Sequence, residues 1–204
     1  MKLNGMPHPV LGRSSASPGG PLYHGLHVSP EEYMRLEYDG HRYEMIHGVL
    51  YLAPRPLFEH NDAAGEFEHR MRIYLKQTGF GRVVRETDVA LPDGGDIVAP
   101  DVSFILRERL GIVQGKIHGA PDLVCEVLSP RTRKVDLGVK ARRYLACGVQ
   151  EYWIVDPRER TIVLLVSKRD AGGELLWERD ECPVLVSRLL PGFALEIQDF
   201  FPVV

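Results

Sequence analysis

The sequence has few cysteines and no long apolar run. Its three cysteines, Cys125, Cys147 and Cys182, have no CxxC spacing, which argues against a zinc site or a disulfide framework. They are typical of reduced thiols in a cytosolic protein. No segment approaches the roughly 18 consecutive apolar residues of a membrane span, and the N-terminus lacks the apolar region of a secretory signal. We therefore expect a cytoplasmic protein.

A strong excess of charge is also lacking. The formal net charge is −3, so the chain is not expected to coat nucleic acid through bulk charge. Any contact with phosphate groups then needs a local basic patch. One such cluster contains a single acid, Asp136, and its basic residues are Arg131, Arg133, Lys134, Arg142 and Arg143. A phosphate-binding surface and a solvated helix face both explain it.

Composition divides the chain into two parts. Residues 1–25 are rich in proline, glycine and serine and are predicted to form a disordered N-terminal tail. Residues 26–204 contain no repeat and no linker, and they fit a single domain. In this domain a short helix is expected over 29–38 and a long one over 57–78, with strands at 184–187 and 194–197 extending an antiparallel region. The patterns predict an α/β fold with a mixed sheet, two main helices and additional antiparallel strands.

The apolar run Leu123–Leu128 is interrupted by one acid. Six residues of this kind predict a strand that is covered on both faces. By alternation, Glu126 shares a face with Val124 and Leu128, so its carboxylate points into an apolar layer. An unpaired charge is costly there, and Glu126 therefore needs a cation, a metal ion or hydrogen-bond donors opposite it. A structural salt bridge and a functional site both meet that need.

The segment after Ser129-Pro130 has helical periodicity. Leu137, Ala141, Tyr144 and Leu145 form one apolar stripe. Lys140 lies at the edge of this stripe, from where its side chain can turn toward the sheet.

Several other polar residues are interpreted as structural. Glu44 lies in the strand-like run 43–46, where a half-exposed glutamate is common. His60 and His69 are nine residues apart on the long helix, which is not the spacing that places two metal ligands on one face. Asp122 precedes the buried strand by one residue and is interpreted as a turn residue.

Two acids and a lysine form the most informative constellation. Asp101 opens the strand-like run 100–106, which we expect to lie beside the strand that carries Glu126. Two converging carboxylates suit Mg²⁺ or Mn²⁺, because these ions prefer oxygen ligands. Such an ion polarises a phosphoryl oxygen, and Lys140 can offset the charge that develops on the phosphate.

The sequence resembles the PD-(D/E)XK nuclease superfamily and, more closely, its Uma2 family of restriction-endonuclease-like proteins. The resemblance covers about residues 29–157. It lies in the segments YEMIHGVLY, APDVSF, GAPDLVCEVLSP, KARRY and GVQEYWIVDP. The last three, in this order and closely spaced, are specific. The resemblance implies a restriction-endonuclease-like fold and a metal-dependent endonuclease that acts on DNA, as a homodimer.

The resemblance also implies site residues. Asp101 and Glu126 correspond to the ligands of Mg²⁺ or Mn²⁺, with the backbone carbonyl of Val127 beside them. Glu44 aligns with a glutamate of the family's opening hairpin and is a candidate third acid. The superfamily pattern has a lysine two residues after the glutamate, where this chain has leucine, and Lys140 on the following helix is the matching candidate.

Two functions from different classes remain open. In the first, the protein cuts DNA, and Arg131, Arg133 and Arg142 bind the phosphate backbone without recognising its sequence. In the second, it is a non-catalytic module that keeps the fold and binds nucleic acid or a partner. The retention of both acids with a lysine favours the enzyme, and RNA is an alternative substrate.

Overall fold

The computed structural model describes residues 20–92 and 95–201. Most of the segment predicted as a disordered tail, residues 1–19, lies outside them. The remainder contacts the domain: Leu22 donates from its backbone N–H to the Asp39 carboxylate (2.9 Å), and Gly25 donates to the carbonyl of Leu50 (2.7 Å). Backbone hydrogen bonds thus hold Leu22 and Gly25 against the domain.

The described residues form fourteen strands. In chain order they are β1 (Arg42–Ile46), β2 (Val49–Ala53), β3 (Gly81–Arg85), β4 (Val89–Ala90), β5 (Ile97–Val98), β6 (Val102–Leu106), β7 (Val113–Gln114), β8 (Lys116–His118), β9 (Leu123–Val127), β10 (Glu151–Asp156), β11 (Thr161–Arg169), β12 (Leu175–Asp180), β13 (Val184–Val186) and β14 (Ala194–Glu196). The helices of the same residues are α1 (Pro30–Tyr33), α2 (Phe58–Thr78), α3 (Arg133–Val135), α4 (Ala141–Ala146) and α5 (Ile197–Phe200), with a 3₁₀ helix at Arg107–Ile112 and a π-helical turn at Asp136–Lys140. None of these helices combines the length and the apolar character that a membrane crossing needs.

The end of α2 and the start of α1 have clear local causes. The 21 residues of α2 end at Gly79, which adopts φ 66° and donates to the carbonyl of Leu75. Such a left-handed residue is the usual end of a helix, because glycine has no Cβ to clash there. α1 begins with a capping box between Ser29 and Glu32, and it ends at Tyr33 instead of the predicted residue 38.

The strands nearest the predicted site belong to a six-stranded sheet with the order β12-β11-β10-β9-β6-β3. β9 and β10 are parallel and are joined by the helical segment from α3 to α4. β6 runs antiparallel to β9, with Val102 opposite Cys125. This register confirms that the two strands predicted to carry the acids are neighbours, and it places Asp101 near the C-terminal end of β9.

Apolar layers cover both faces of this sheet. On one face, Phe67 and Met71 of α2 pack against Cys125 and Trp153. On the other face, Tyr144 of α4 packs with Tyr152 at a ring distance of 5.3 Å. Because β9 is buried on both faces, its sequence is apolar throughout except at Glu126.

A second six-stranded sheet has the order β2-β1-β5-β4-β8-β7. The β1–β2 hairpin turns at His47-Gly48, and Glu44 pairs in register with Tyr51. Met45 and Leu50 are fully buried in a small apolar cluster on this hairpin. The sheet supplies Glu44 to the site from a different layer than β9.

The C-terminal strands differ from the prediction. β13 and β14 pair with each other in a separate two-stranded sheet, so the expected extension of the antiparallel region is wrong. Their buried residues Leu185 and Leu195 join the apolar cluster on the α2 face. The buried Glu151 carboxylate accepts hydrogen bonds from the Ser187 hydroxyl (2.9 and 3.0 Å) and the Arg188 backbone N–H (2.6 Å), which ties this segment to β10.

Candidate active site

The two predicted metal ligands lie side by side. Glu126 Oε2 is 3.3 Å from the backbone nitrogen of Asp101, and Asp101 Oδ2 accepts a hydrogen bond from the backbone N–H of Val127 at 2.7 Å. Each carboxylate thus contacts the backbone of the strand that carries the other. These reciprocal contacts hold both acids at one end of the β6–β9 pair.

Glu126 has the partners that its apolar strand requires. The residue is 3 % exposed, and its Oε1 accepts hydrogen bonds from the Lys140 ammonium (3.0 Å) and from the Tyr144 hydroxyl (2.7 Å). Both donors lie on the helical segment that follows β9. A cation and a hydroxyl therefore satisfy the buried carboxylate.

Lys140 is the centre of a buried ion cluster. Its Nζ lies 2.9 Å from Glu44, 3.0 Å from Glu126 and 3.5 Å from Asp136. All four residues are buried, with exposed fractions of at most 6 %. The three ammonium protons can therefore each face a carboxylate, one from β1, one from β9 and one from the π-helical turn. Asp136, which the sequence interpretation counted only as the acid of a basic cluster, belongs to this site.

The π-helical turn explains why Lys140 points inward. Asp136 and Lys140 are four residues apart, and both are buried, whereas Leu137 is 44 % exposed. A continuous α-helix would place Leu137 on the buried stripe of Ala141 and Tyr144. The wider turn adds a residue and so rotates the preceding side chains by roughly 100° relative to that stripe. The predicted burial of Leu137 is therefore wrong, while that of Ala141 and Tyr144 is confirmed.

His60 is a site residue that sequence reasoning placed among the structural ones. Its Nε2 lies 3.2 Å from Asp101 Oδ2, and the two side chains are 15 % and 19 % exposed. His60 lies in the first turn of α2, at the end that approaches Asp101, whereas His69 lies further along the helix and is exposed. That position at the helix start is the signal that distinguishes the two histidines.

Burial and charge set the proton affinities of the cluster in opposite directions. Burial raises the pKa of Glu126 well above its usual range although Lys140 opposes the shift, and burial likewise raises the pKa of Asp136. For Asp101, burial would raise the pKa, but the hydrogen bond from His60 and its charge outweigh burial and lower it. Burial would lower the pKa of Lys140, yet the surrounding carboxylates, Glu126 first, raise it well above its ordinary value. The surroundings thus favour the charged forms of Lys140 and Asp101, whereas burial works against the charged forms of Glu126 and Asp136.

The carboxylates of the site are oxygen donors, the kind of ligand that a hydrated divalent cation prefers. The acid cluster, as we call it, has four carboxylates around one lysine and one histidine, and its members are Glu44, Asp101, Glu126 and Asp136. This leaves surplus negative charge that a divalent ion would neutralise. Among the described residues, no group of three or more His, Cys, Asp or Glu side chains is arranged to hold a metal. Two carboxylates and a backbone carbonyl suit an ion that keeps most of its waters, as Mg²⁺ does.

The predicted basic patch is only partly free for a ligand. Arg131 and Arg142 are exposed, and Arg133 forms an ion pair with Asp156. Arg143 is buried against Asp96 and so does not belong to an exposed patch. Contact of Arg131, Arg133 and Arg142 with phosphate groups stays a prediction.

Asp122 is more than a turn residue. It is fully buried, and its carboxylate accepts hydrogen bonds from Arg109 (2.5 Å), from the backbone N–H of Leu106 (2.8 Å) and from Gln150 (3.0 Å). These contacts tie β6, β9 and β10 together at the end opposite to the acid cluster. Asp122 is therefore a structural acid.

A mixed sheet flanked by helices, with acids at the ends of neighbouring strands, defines a restriction-endonuclease-like α/β protein. A crystal structure described as "a putative nuclease belonging to DUF820", from Anabaena variabilis ATCC 29413, has a similar fold, with a TM-score of 0.70 over 85 % of this chain and 97 % of that chain at 22 % identity. The model of the Uma2 family, described as "Putative restriction endonuclease", matches residues 30–198. The chain belongs to the Uma2 family. No curated protein matches it. Family and fold together point to a nuclease.

Proposed function

We propose that this protein is a metal-dependent endonuclease that hydrolyses phosphodiester bonds in DNA. The observation that carries the proposal is the contact of Lys140 with Glu126 and Glu44 beside Asp101. The helix thereby supplies the lysine that the superfamily pattern places two residues after the glutamate. Burying a lysine among three carboxylates is costly, and a module that only binds nucleic acid has no evident need for it.

Mg²⁺ or Mn²⁺ would be held by Asp101, Glu126 and the backbone carbonyl of Val127. When bound, such an ion polarises a phosphoryl oxygen and lowers the pKa of a water molecule, which makes hydroxide available near neutral pH.

The chain's own residues orient the acids and supply positive charge. Tyr144 donates to Glu126 and fixes its rotamer, and His60 does the same for Asp101. Glu44 and Asp136 hold the Lys140 ammonium next to Glu126, where its charge opposes the negative charge that develops on a phosphate in the transition state.

The exposure of the cluster indicates the side from which DNA approaches. The side chains of Asp101 and His60 are 19 % and 15 % exposed, whereas that of Lys140 is 5 % exposed. A phosphate group therefore meets Asp101 before it comes near Lys140. In this proposal Arg131, Arg133 and Arg142 make further phosphate contacts.

The test is cleavage of a supercoiled plasmid and a short duplex with Mg²⁺ or Mn²⁺. Wild type should cut, and Glu126→Gln and Asp101→Ala should not. Glu174→Gln, which removes the same charge from an exposed loop, should cut like wild type. Cleavage of an RNA strand of the same sequence, measured in parallel, shows whether the substrate is DNA or RNA. Full activity of Glu126→Gln would refute the assignment of the site.

One observation favours the non-catalytic alternative. Both oxygens of Glu126 already have protein nitrogen or hydroxyl neighbours, and the three nearest acids already surround Lys140. If wild type binds DNA and cuts neither DNA nor RNA with any of the metals, the protein is a binding module with the nuclease fold.

We also propose that the protein acts as a cytoplasmic homodimer. Cutting both strands of a duplex needs two sites, and two copies of this domain would supply them. The three free cysteines fit a reducing compartment. A monomer in sedimentation analysis, with and without DNA, would refute the dimer.

A further inference from the structure

Arg85 lies beside the open side of the acid cluster. It is the last residue of β3 and pairs with Val102, which directly follows Asp101. The next residue, Glu86, donates its backbone N–H to the carbonyl of Asp101 at 3.3 Å. The side chain of Arg85 reaches toward the start of α2, where Asn61 follows His60. Arg85 thus lies on the strand next to Asp101, and its side chain contacts Asn61, the residue that follows His60.

The Arg85 guanidinium has few acceptors for its donors. Its closest hydrogen bond joins Nη2 to Asn61 Oδ1 at 3.3 Å, and Nη2 is 3.8 Å from a carboxylate oxygen of the exposed Glu86. Its Nε is buried and has no partner among the described residues. A guanidinium has five N–H donors. Arg109, by comparison, donates to both Asp122 and the carbonyl of Ala120.

The Arg85 guanidinium is partly exposed on the α2 side of the sheet. The side chain is 27 % exposed, and a Cβ atom at Gly65 would come within 3.6 Å of Nη1, so the guanidinium lies over the first turns of α2. Glu86 is the acid that competes for it, but an ion pair this long and exposed contributes little.

We infer that Arg85 and Asn61 form a phosphate subsite for the DNA backbone next to Asp101. In this subsite Arg85 donates to the non-bridging oxygens of a phosphodiester, because its planar fork matches two oxygens at once. The Asn61 amide nitrogen, which has no partner among the described residues, donates to the same phosphate. The inference rests on the proposed nuclease function, since it names where the substrate backbone is held.

The experiment measures binding of a short fluorescent DNA duplex by anisotropy, in EDTA and over a range of salt concentrations. Arg85→Gln should weaken binding by about tenfold to a hundredfold and reduce the slope of log affinity against log salt by about 0.9, the value for one phosphate contact. Arg85→Lys should keep the slope, because it keeps the charge, and recover only part of the affinity. Asn61→Ala should weaken binding without a change in slope.

Arg82→Gln is the matched control. Arg82 lies on the same strand, is exposed and stands three residues earlier, on the opposite face of β3. It should bind DNA like wild type. Thermal melting of each variant identifies a loss of binding that only reflects unfolding.

The outcomes separate this inference from the function on which it rests. If wild type binds DNA and Arg85→Gln has the same affinity and salt slope, the subsite is wrong even when wild type cleaves DNA. If Arg85→Lys loses the slope as Arg85→Gln does, charge is not what Arg85 contributes, and the subsite is again wrong. If wild type neither binds nor cuts DNA, the proposed function fails, and the subsite fails with it.

Discussion

Replacing Lys140 with methionine is the most informative single change in this protein. Methionine keeps most of the aliphatic stem, so the packing of the helix on the sheet should survive, while the ammonium is lost. Three carboxylates that lie 2.9, 3.0 and 3.5 Å from Nζ then lose their shared cation. Removing one partner of a buried ion pair typically destabilises a protein by about 3–5 kcal/mol. A domain near the middle of the usual range of about 5–15 kcal/mol still folds after such a loss.

This loss should depend on pH. The pKa of Lys140 is raised in the folded state, so its stabilising contribution is complete below the unfolded pKa of 10.5 and is lost only as the pH rises through the folded value. The pKa values of Glu126 and Asp136 are already raised by burial, and they should rise further without the lysine. A carboxyl with a raised folded pKa destabilises the protein as the pH rises above its unfolded value. The deficit of Lys140→Met should therefore be small near pH 4.5 and reach its full size above neutral pH.

Urea unfolding of wild type and Lys140→Met at pH 4.5, 6 and 8 measures this difference. Mn²⁺ should restore part of the stability of the variant, because an ion that binds only the folded state at a hundred times its Kd adds about 2.7 kcal/mol. Equal stability of both proteins at pH 8 would mean that Lys140 does not neutralise the buried acids.

Activity provides a second readout of the same substitution. Loss of one charge-stabilising group typically lowers the rate by about 10²–10³, so Lys140→Met should cut DNA slowly in Mn²⁺ while metal binding persists or strengthens slightly. Glu126→Gln serves as the inactive reference. If Lys140→Met cuts as fast as wild type while Glu126→Gln is inactive, the lysine has no role in the reaction.

Two further predictions concern the metal and the substrate. Titration calorimetry should show weak Mn²⁺ binding in the absence of DNA, and Asp101→Ala should abolish it, because the ion then keeps one carboxylate ligand; equal binding by both proteins would place the ion elsewhere. Binding to DNA should weaken steeply as the salt concentration rises. A triple variant with glutamine in place of three arginines should show a flatter dependence, and an unchanged slope of log affinity against log salt would mean that these arginines form only a solvated surface. These arginines are Arg131, Arg133 and Arg142.

The sequence predicted the strands of the site better than its polar contacts. Glu126 in an apolar run required a partner, and the structure shows Lys140 and Tyr144 in that role. A continuous apolar run and a helical period were sufficient here, because β9 is covered on both faces and α2 has one apolar stripe. Both signals are local in the chain.

The parts that were missed depend on long-range or irregular geometry. The π-helical turn moved Asp136 into the site and Leu137 out of it, and an ordinary helical period cannot reveal an added residue. The contact of His60 with Asp101 joins two elements distant in sequence, and spacing within one helix cannot predict it. The separate pairing of β13 with β14 likewise follows from packing on the α2 face and not from alternation.

The position of Lys140 between three acids makes the site depend on completed folding. Glu44 comes from the second sheet, Glu126 from the central sheet and Lys140 from the helical segment that crosses between β9 and β10. An intermediate in which the two sheets have formed but not yet docked would lack the Lys140–Glu44 pair. The full set of carboxylates around Lys140 therefore requires both sheets and the helical segment to be packed together, so a partly folded copy of the chain would lack it.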